Sequence, residues 1–323
     1  MLLAAGRLCV VFMTIYAVTI GGLLAAIEGG FNPILFLAIL IGFVLAHVAD
    51  NLLNDLTDYI KGIDVPGYFR TLYGPHPVID GIVPPRSVAI FISAVVAYGI
   101  ALALYLGFTV HPAIPLLAFT GVASMALYAG YPLDATKLGL GEPIVAIVWG
   151  PVMAGGTLLA LSGSHPVTAV LVYLPFAVTV SLVLIGKHLD KYDDEYRKGV
   201  GTLPVRLGKE RTRRIAAAIA LIAPLAAALG LLVHTGSYLA AALTLTAIPS
   251  SILSASLLSK PRPGEPPRNW RAWPLWYAAW GFRTMEATGR ATILGLLAAL
   301  LATTPAKALI LAAAGLLSVL ARY

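Results

Sequence analysis

Two short acidic stretches carry the residues most able to do chemistry. The first runs Asp50-Asn51-Leu52-Leu53-Asn54-Asp55-Leu56-Thr57-Asp58-Tyr59, followed by Gly62 and Asp64. The second runs Lys187-His188-Leu189-Asp190-Lys191-Tyr192-Asp193-Asp194-Glu195. Asn51, Asn54, Asp55 and Asp58 are spaced i, i+3, i+4, i+7, which puts them on one side of a helix, and Asp190 and Asp194 are spaced i, i+4. Two acidic helix ends that meet repel each other unless a cation lies between them. They also oppose the dipole of any helix they terminate. Carboxylate and amide oxygens without a His or Cys cluster suit Mg²⁺, which keeps several waters and accepts phosphate oxygens. Such a site suits a lipid diphosphate, with its head group on the metal and its tail among apolar helices.

The elements that hold these stretches are apolar. Of the 323 residues, 59% are hydrophobic and 11% charged, and mean hydropathy is +0.87. A soluble domain carries about 25% charged residues. This excludes a water-soluble enzyme, a disulfide-stapled secreted domain and a disordered chain. The one cysteine, Cys9, leaves no internal disulfide and no Cys-based metal site. Apolar runs occur near 8–28, 33–57, 86–108, 112–130, 142–162, 168–189, 213–233, 237–259, 287–303 and 306–322. A bilayer crossing takes roughly 20 apolar residues. The spacing therefore predicts an all-α polytopic membrane protein with nine transmembrane helices, or ten if 306–322 spans, in a single domain over 1–323. The run after Arg7 is too long for the core of a signal peptide and reads as the first membrane helix.

Charge sets the expected topology. The net charge of +7 would point to nucleic acid in a soluble protein. Here nearly all Lys and Arg fall in alternate loops: Lys61, Arg70 and Arg86; Lys137; Lys187 to Arg214; and Lys260 to Arg290. By the positive-inside rule these loops and the N-terminus are cytoplasmic, the lipid bilayer is the partner, and no nucleic acid is expected. Among the acids, only Glu28 is expected on the other side. The Trp270, Trp273, Trp276, Trp280 spacing reads as an interfacial amphipathic segment, and 261–267 as an ordinary linker. Tyr59, Tyr128 and Tyr131 are aromatic groups whose π faces could meet a carbocation.

At Asn54-Asp55-x-x-Asp58 and Asp190-x-x-x-Asp194 the chain resembles the UbiA superfamily of intramembrane prenyltransferases. It is most similar to the 1,4-dihydroxy-2-naphthoate polyprenyltransferase branch of menaquinone synthesis. That resemblance rests on Asn51-x-x-Asn54-Asp55-x-x-Asp58-Tyr59-x-x-Gly62-x-Asp64, Gly139-Leu140-Gly141-Glu142-Pro143 leading to Trp149-Gly150-Pro151, and Thr202-Leu203-Pro204-Val205-Arg206-Leu207-Gly208. It runs in order over about 8–260.

The resemblance implies a helical intramembrane barrel or bundle around a central cavity, and Mg²⁺-dependent transfer of a prenyl group from a prenyl diphosphate to an aromatic quinone precursor. The same chemistry on a glycerol-phosphate ether lipid is the alternative, and a cation transporter a more distant one. The implied metal set is Asn54, Asp55, Asp58, Asp190, Asp193 and Asp194. Asp58, Asp190 and Asp194 are the implied catalytic residues, and Lys137, the one cation in its loop, is expected to join them at the diphosphate. Asn51, Asp64, Arg70, Tyr128, Tyr131, Lys187 and Lys191 are expected at the substrates. Family cations are missing at three places. Gly74-Pro75-His76-Pro77 lacks an arginine, Gly186 and Leu189 stand where the branch has Asn and Arg, and Val200-Gly201 replaces a Lys-Arg pair. Lys137, Lys187, Lys191 and Arg70 are the cations available to replace them.

Overall fold

The computed structural model describes residues 10–66, 71, 74–129, 134–268, 270 and 272–303. Nine main helices follow in order among these residues: α1 Phe12–Ile27, α2 Pro33–Ile60, α3 Pro85–Thr109, α4 Ile114–Ala129, α5 Gly141–Ser162, α6 Val167–Asp190, α7 Lys209–Thr235, α8 Tyr238–Leu258 and α9 Tyr277–Thr303. Seven of them, α2, α3 and α5 to α9, are long and apolar enough to cross a membrane, while α1 and α4 are shorter apolar helices. No strand forms among the described residues. The chain is thus an all-α polytopic membrane protein. The run 306–322 lies outside the described residues.

Helices are the form expected of apolar runs this long, because backbone groups in lipid must satisfy one another within the segment. Local signals set the ends. Asn32 caps α2, its side chain accepting from the N–H groups of Ile34 and Leu35, and Pro33 opens the helix. Ser237 caps α8 through the Ala240 N–H. Helix α5 widens over Val148–Gly155 around Pro151, which has no N–H to continue the ladder.

Helix α1 runs through the centre. Ala17, Ile20, Leu24 and Ala25 are fully buried against α5, α6 and α9. Gly21 lets α1 and α5 touch: a Cβ there would lie 2.3 Å from the Ala154 carbonyl oxygen. Ile34, Tyr105, Phe108 and Leu229 stand exposed on the outside of the bundle. In a membrane these are lipid-facing surface rather than liabilities.

One boundary differs from the sequence reading. Helix α9 begins at Tyr277, ten residues before its apolar run, so Arg283, Glu286 and Arg290 lie inside a helix and not in a loop. Arg290 is held there by Glu286 and by the Tyr16 hydroxyl, 3.1 Å away. Paired charges of this kind are tolerated within a bundle. The tryptophans differ too. Trp276 and Trp280 are buried and Trp270 packs on both, so they form part of the core and not an interfacial helix face.

Candidate functional site

Four connections converge at one end of the bundle: the ends of α2 and α6, and the links α4–α5 and α8–α9. Contacts across the chain join them. Lys137 Nζ is 3.2 Å from Asp58 Oδ1. The Asp190 side chain meets Tyr277 and Ala278. Arg206 packs on Gly139, whose φ is +71° and whose added Cβ would be 3.0 Å from Arg206 Cδ. Alternate helices run in opposite directions, so alternate links must share an end. That same end carries the cation-rich loops.

Beneath this end lies a cavity of about 1150 Å³. Its walls come from α2, α3, α4, α5 and α6, with Trp273 and the start of α9 at the mouth. Most of the lining is apolar. The polar exceptions gather toward the acidic end and include His47, Asp50, Asn51, Asn54, Tyr128 and Lys187. His47 is fixed by the Thr14 hydroxyl at 2.8 Å and meets Trp149 edge-on.

The first motif divides into two groups. Asn51 and Asn54 line the cavity, and Asn54 Nδ2 donates to Asp58 Oδ2 at 3.4 Å. Asp58 meets Lys137, and Lys137 is 2.5 Å from Asp134. Burial would lower the Lys137 pKa, but the Asp134 hydrogen bond and the Asp58 charge raise it above its ordinary value. Burial likewise works against ionised Asp134, and hydrogen bonds from Lys137, Thr136 and Lys61 hold its carboxyl below the usual value. Lys137 therefore enters the site as a firmly charged ammonium.

Asp55, completely buried, turns the other way, toward Asp64 and His76. One ligand atom from each of these three lies within 4.8 Å of the other two. The His76 ring is fixed: its Nδ1 accepts from the Val78 and Ile79 N–H groups at 3.3 and 3.1 Å. Nε2 must then carry the proton in the neutral ring. It faces Asp64 Oδ2 at 3.3 Å, close enough for an ion pair but not aligned for a hydrogen bond, and so offers no metal-binding lone pair. Burial pushes the Asp64 carboxyl above its ordinary value and the Asp58 charge adds to this, while Lys191 and His76 act in the opposite sense. Sequence reasoning met His76 only as the neighbour of Pro77, where an arginine is lost. Its role shows in the burial and in the two backbone donors.

The second motif departs from expectation. Asp190, expected at a metal and in catalysis, accepts the N–H groups of Tyr277 and Ala278, each at 3.0 Å. It caps α9. Asp193, expected as a ligand, bonds Lys209 through both oxygens, and Asp194 bonds Arg197 at 2.5 Å. Glu195 is buried between His188 (2.8 Å) and the Thr202 hydroxyl (2.7 Å). Burial would raise its carboxyl, but the His188 hydrogen bond and charge, with Thr202, hold it below the ordinary value. Lys187 does line the cavity, and Lys191 acts electrostatically on Asp64.

Tyr128 lines the cavity as expected, whereas Tyr59 is exposed. Arg70 and Tyr131 lie outside the described residues. Asp50 was not among the expected site residues, yet it is the one carboxylate on the cavity wall among the described residues. Its place one turn before Asn54 is the signal the sequence offers.

Comparison with known proteins places the chain in a family. The model of the UbiA prenyltransferase family matches residues 15–279. The chain is 27% identical over 195 residues to UbiA prenyltransferase domain-containing protein 1 of Danio rerio, covering 59% of this chain and 56% of that protein. It is 25% identical over 193 residues to 1,4-dihydroxy-2-naphthoate octaprenyltransferase of Bacillus subtilis, covering 59% and 60%. It is 28% identical over 221 residues to digeranylgeranylglyceryl phosphate synthase of Natronomonas pharaonis, covering 66% and 73%. The chain thus matches little more than half the length of the first two relatives. Among solved structures, a UbiA homologue from Aeropyrum pernix K1 superposes with a TM-score of 0.59 at 19% identity, covering 90% of this chain and 97% of that one. A UbiA homologue from Archaeoglobus fulgidus bound to GPP and Mg²⁺ superposes with a TM-score of 0.51 at 16% identity, covering 85% and 95%. At these identities the likeness shows the fold.

Proposed function

The chain belongs to the UbiA prenyltransferase family, and from that membership we propose that it transfers a prenyl group from a prenyl diphosphate to an acceptor inside its cavity. One observation carries the reading. A charged end built by Asn54, Asp58, Lys137 and Lys187 opens directly onto a large apolar cavity. This is the shape of a ligand with an anionic head and a hydrocarbon tail.

Mg²⁺ fits the first motif. Asp55 and Asp64 are buried with carboxylate oxygens within 4.8 Å of each other, and Asp64 Oδ2 makes no hydrogen bond among the described residues. Two carboxylates this close favour a cation between them, and the oxygen-only donors Asn54, Asp55, Asp58 and Asp64 suit a hard one. When bound, Mg²⁺ would offset the charge that gathers on the departing diphosphate.

The chain's own groups do the rest. Lys137 and Lys187 offer fixed positive charge where the leaving group gains negative charge. The allylic C–O bond breaks, its electron pair leaves with the diphosphate, and the carbocation forms against apolar walls that keep water away. Tyr128 lends a π face. The acceptor attacks C1 of the prenyl chain, and Asp50 takes the proton of its hydroxyl group. An electron-rich aromatic acceptor is the first choice, supported by the Bacillus subtilis relative. A glycerol-phosphate lipid is the second, supported by the Natronomonas pharaonis relative. The positive-inside bias puts the charged end in the cytoplasm, with 1–323 acting as one unit.

The test is incubation of the purified protein, in nanodiscs with Mg²⁺ and labelled geranylgeranyl diphosphate, with 1,4-dihydroxy-2-naphthoate or with geranylgeranylglyceryl phosphate. A prenylated product with one acceptor assigns it. Diphosphate stable with both would refute prenyl transfer.

A further inference from the structure

We infer that Trp273, held in place by Arg262, roofs the charged end of the cavity and keeps water from the allylic cation. The inference rests on the prenyl-transfer reading and adds the residues that decide between transfer and hydrolysis.

An allylic cation is attacked by water as well as by an acceptor, so a cavity that opens at its charged end needs a dry cover there. The membrane helices supply the side walls. Two links reach over the end among the described residues. The α2–α3 link contributes Gly74 and Pro75, and the α8–α9 link, 259–276, contributes Ala272, Trp273 and Leu275. Trp273 is the one aromatic ring that these two links bring to the cavity among the described residues. Its neighbours in sequence do something else. Of Trp270, Trp273, Trp276 and Trp280, the other three pack together, and only Trp273 lines the cavity. An indole suits that place, since it covers a wide apolar area and tolerates a wet edge.

The link is built to hold this ring. The Leu275 N–H donates to the Ala272 carbonyl at 2.7 Å, closing a turn with Trp273 and Pro274 at its corner. The Arg262 guanidinium lies over the Trp273 ring, 5.2 Å from its centre. Its Nη1 donates to the Pro274 carbonyl at 3.2 Å and to the Asp190 carbonyl at 3.3 Å. Only a planar, forked cation reaches a ring and two carbonyls at once. Arg262 thus clasps the turn to the end of α6, the same helix end that brings Lys187 to the cavity. Two further contacts tie the link to α9. The Tyr277 hydroxyl donates to the Lys260 carbonyl at 3.0 Å, and Trp270 stacks against Trp280 with ring centres 5.7 Å apart.

With the roof in place, the allylic C–O bond breaks, its electron pair leaves with the diphosphate, and the acceptor alone reaches C1. With the ring removed, a water oxygen bonds to C1 and gives its proton to the solvent, leaving prenyl alcohol and diphosphate.

The experiment uses the full chain in nanodiscs with Mg²⁺ and labelled geranylgeranyl diphosphate. It is run with 1,4-dihydroxy-2-naphthoate, with geranylgeranylglyceryl phosphate and without acceptor, and prenyl alcohol is separated from transfer product by chromatography. Trp273→Ala should raise the alcohol-to-product ratio several-fold and speed alcohol release when no acceptor is present, with donor KM little changed. Because Trp273 lies outside the tryptophan cluster, its removal leaves the packing of α6 to α9 in place. Trp273→Phe keeps an apolar ring and should stay near wild type. Arg262→Met should raise the ratio at least about two- to fivefold, the shift in an open-to-closed equilibrium that one exposed cation–π contact supplies. An unchanged ratio in Trp273→Ala, or an equal leak in the Phe and Ala variants, would overturn the inference and leave prenyl transfer standing. So would a raised donor KM at an unchanged ratio in Arg262→Met, which would make the arginine a donor contact. If the wild-type protein leaves the diphosphate intact with both acceptors, the prenyl-transfer reading falls and takes the inference with it.

Discussion

Lys137 and Asp58, 79 residues apart in sequence, meet with Nζ 3.2 Å from Oδ1. The contact joins the α4–α5 link to the end of α2 and fixes a cation beside the first motif. Lys137→Met keeps the apolar stem and removes the charge. A hydrogen bond to a charged group contributes about 1.5–3 kcal/mol, so kcat/KM for the prenyl diphosphate should fall on the order of tenfold or more. A rise in donor KM with kcat unchanged would mean that the lysine acts in binding only; a fall in both means that the contact tightens as the bond breaks. Steady-state kinetics with unchanged constants would remove Lys137 from the site.

Metal dependence should follow the first motif. Chelation with EDTA should stop turnover, and Mg²⁺ or Mn²⁺ should restore it. Asp58→Asn should cost about 3 kcal/mol of transition-state stabilisation, near 10²-fold in rate. Full turnover by this variant would make the cluster structural.

Asp190 should behave as a structural cap. Asp190→Ala removes both acceptors of the Tyr277 and Ala278 amides, and loss of such a cap costs about 0.5–2 kcal/mol. The apparent melting temperature in detergent, read at a fixed scan rate, should drop for Asp190→Ala and stay near wild type for Asp58→Asn. Equal melting temperatures for Asp190→Ala and wild type would contradict the cap.

Glu195 gives a pH signature. Its folded carboxyl is held below the ordinary 4.5, so the stability it contributes is complete above that value and fades as pH falls through the lowered folded value. Replacement by Gln should cost about 1–3 kcal/mol near neutral pH. The gap in apparent melting temperature between wild type and Glu195→Gln should be constant over about pH 6–8 and should narrow below the ordinary carboxylate range. A gap that widens in acid would mean the sign is wrong.

Asp50 should matter to the acceptor more than to the donor. In Asp50→Asn the allylic C–O bond can still break, but the acceptor's proton has lost its base. The ratio of prenyl alcohol to transfer product, measured by chromatography of labelled lipids, should rise, by up to the roughly 10²–10⁴-fold that a general base contributes. An unchanged ratio would return Asp50 to the cavity wall as a bystander.

The elements themselves were legible in the chain. Each of the first nine apolar runs became a helix because lipid leaves the backbone no other partner, and caps such as Asn32-Pro33 marked the starts. The alternation of cation-rich loops correctly grouped the ends of α2 and α6 with the α4–α5 and α8–α9 links. Asn54, Asp58 and Lys137 were likewise readable, since helical spacing and a lone cation in its loop are local facts. The start of α9 was not, because Arg283, Glu286 and Arg290 interrupt its apolar run and are paired only in three dimensions.

Tertiary structure alone decided which way each carboxylate turned. Spacing put Asn54, Asp55 and Asp58 on one broad side, yet Asp55 is drawn under to Asp64 and His76 while Asn54 stays on the cavity. Spacing likewise made Asp190 look like a ligand, but Gly186 admits the first turn of α9, and two backbone amides claim both of its oxygens. A residue's own helix fixes only the direction in which its side chain leaves the backbone. Whether an oxygen meets a metal, an amide or a lysine depends on the element packed against it, 87 residues away in the case of Tyr277. No local pattern carries that information.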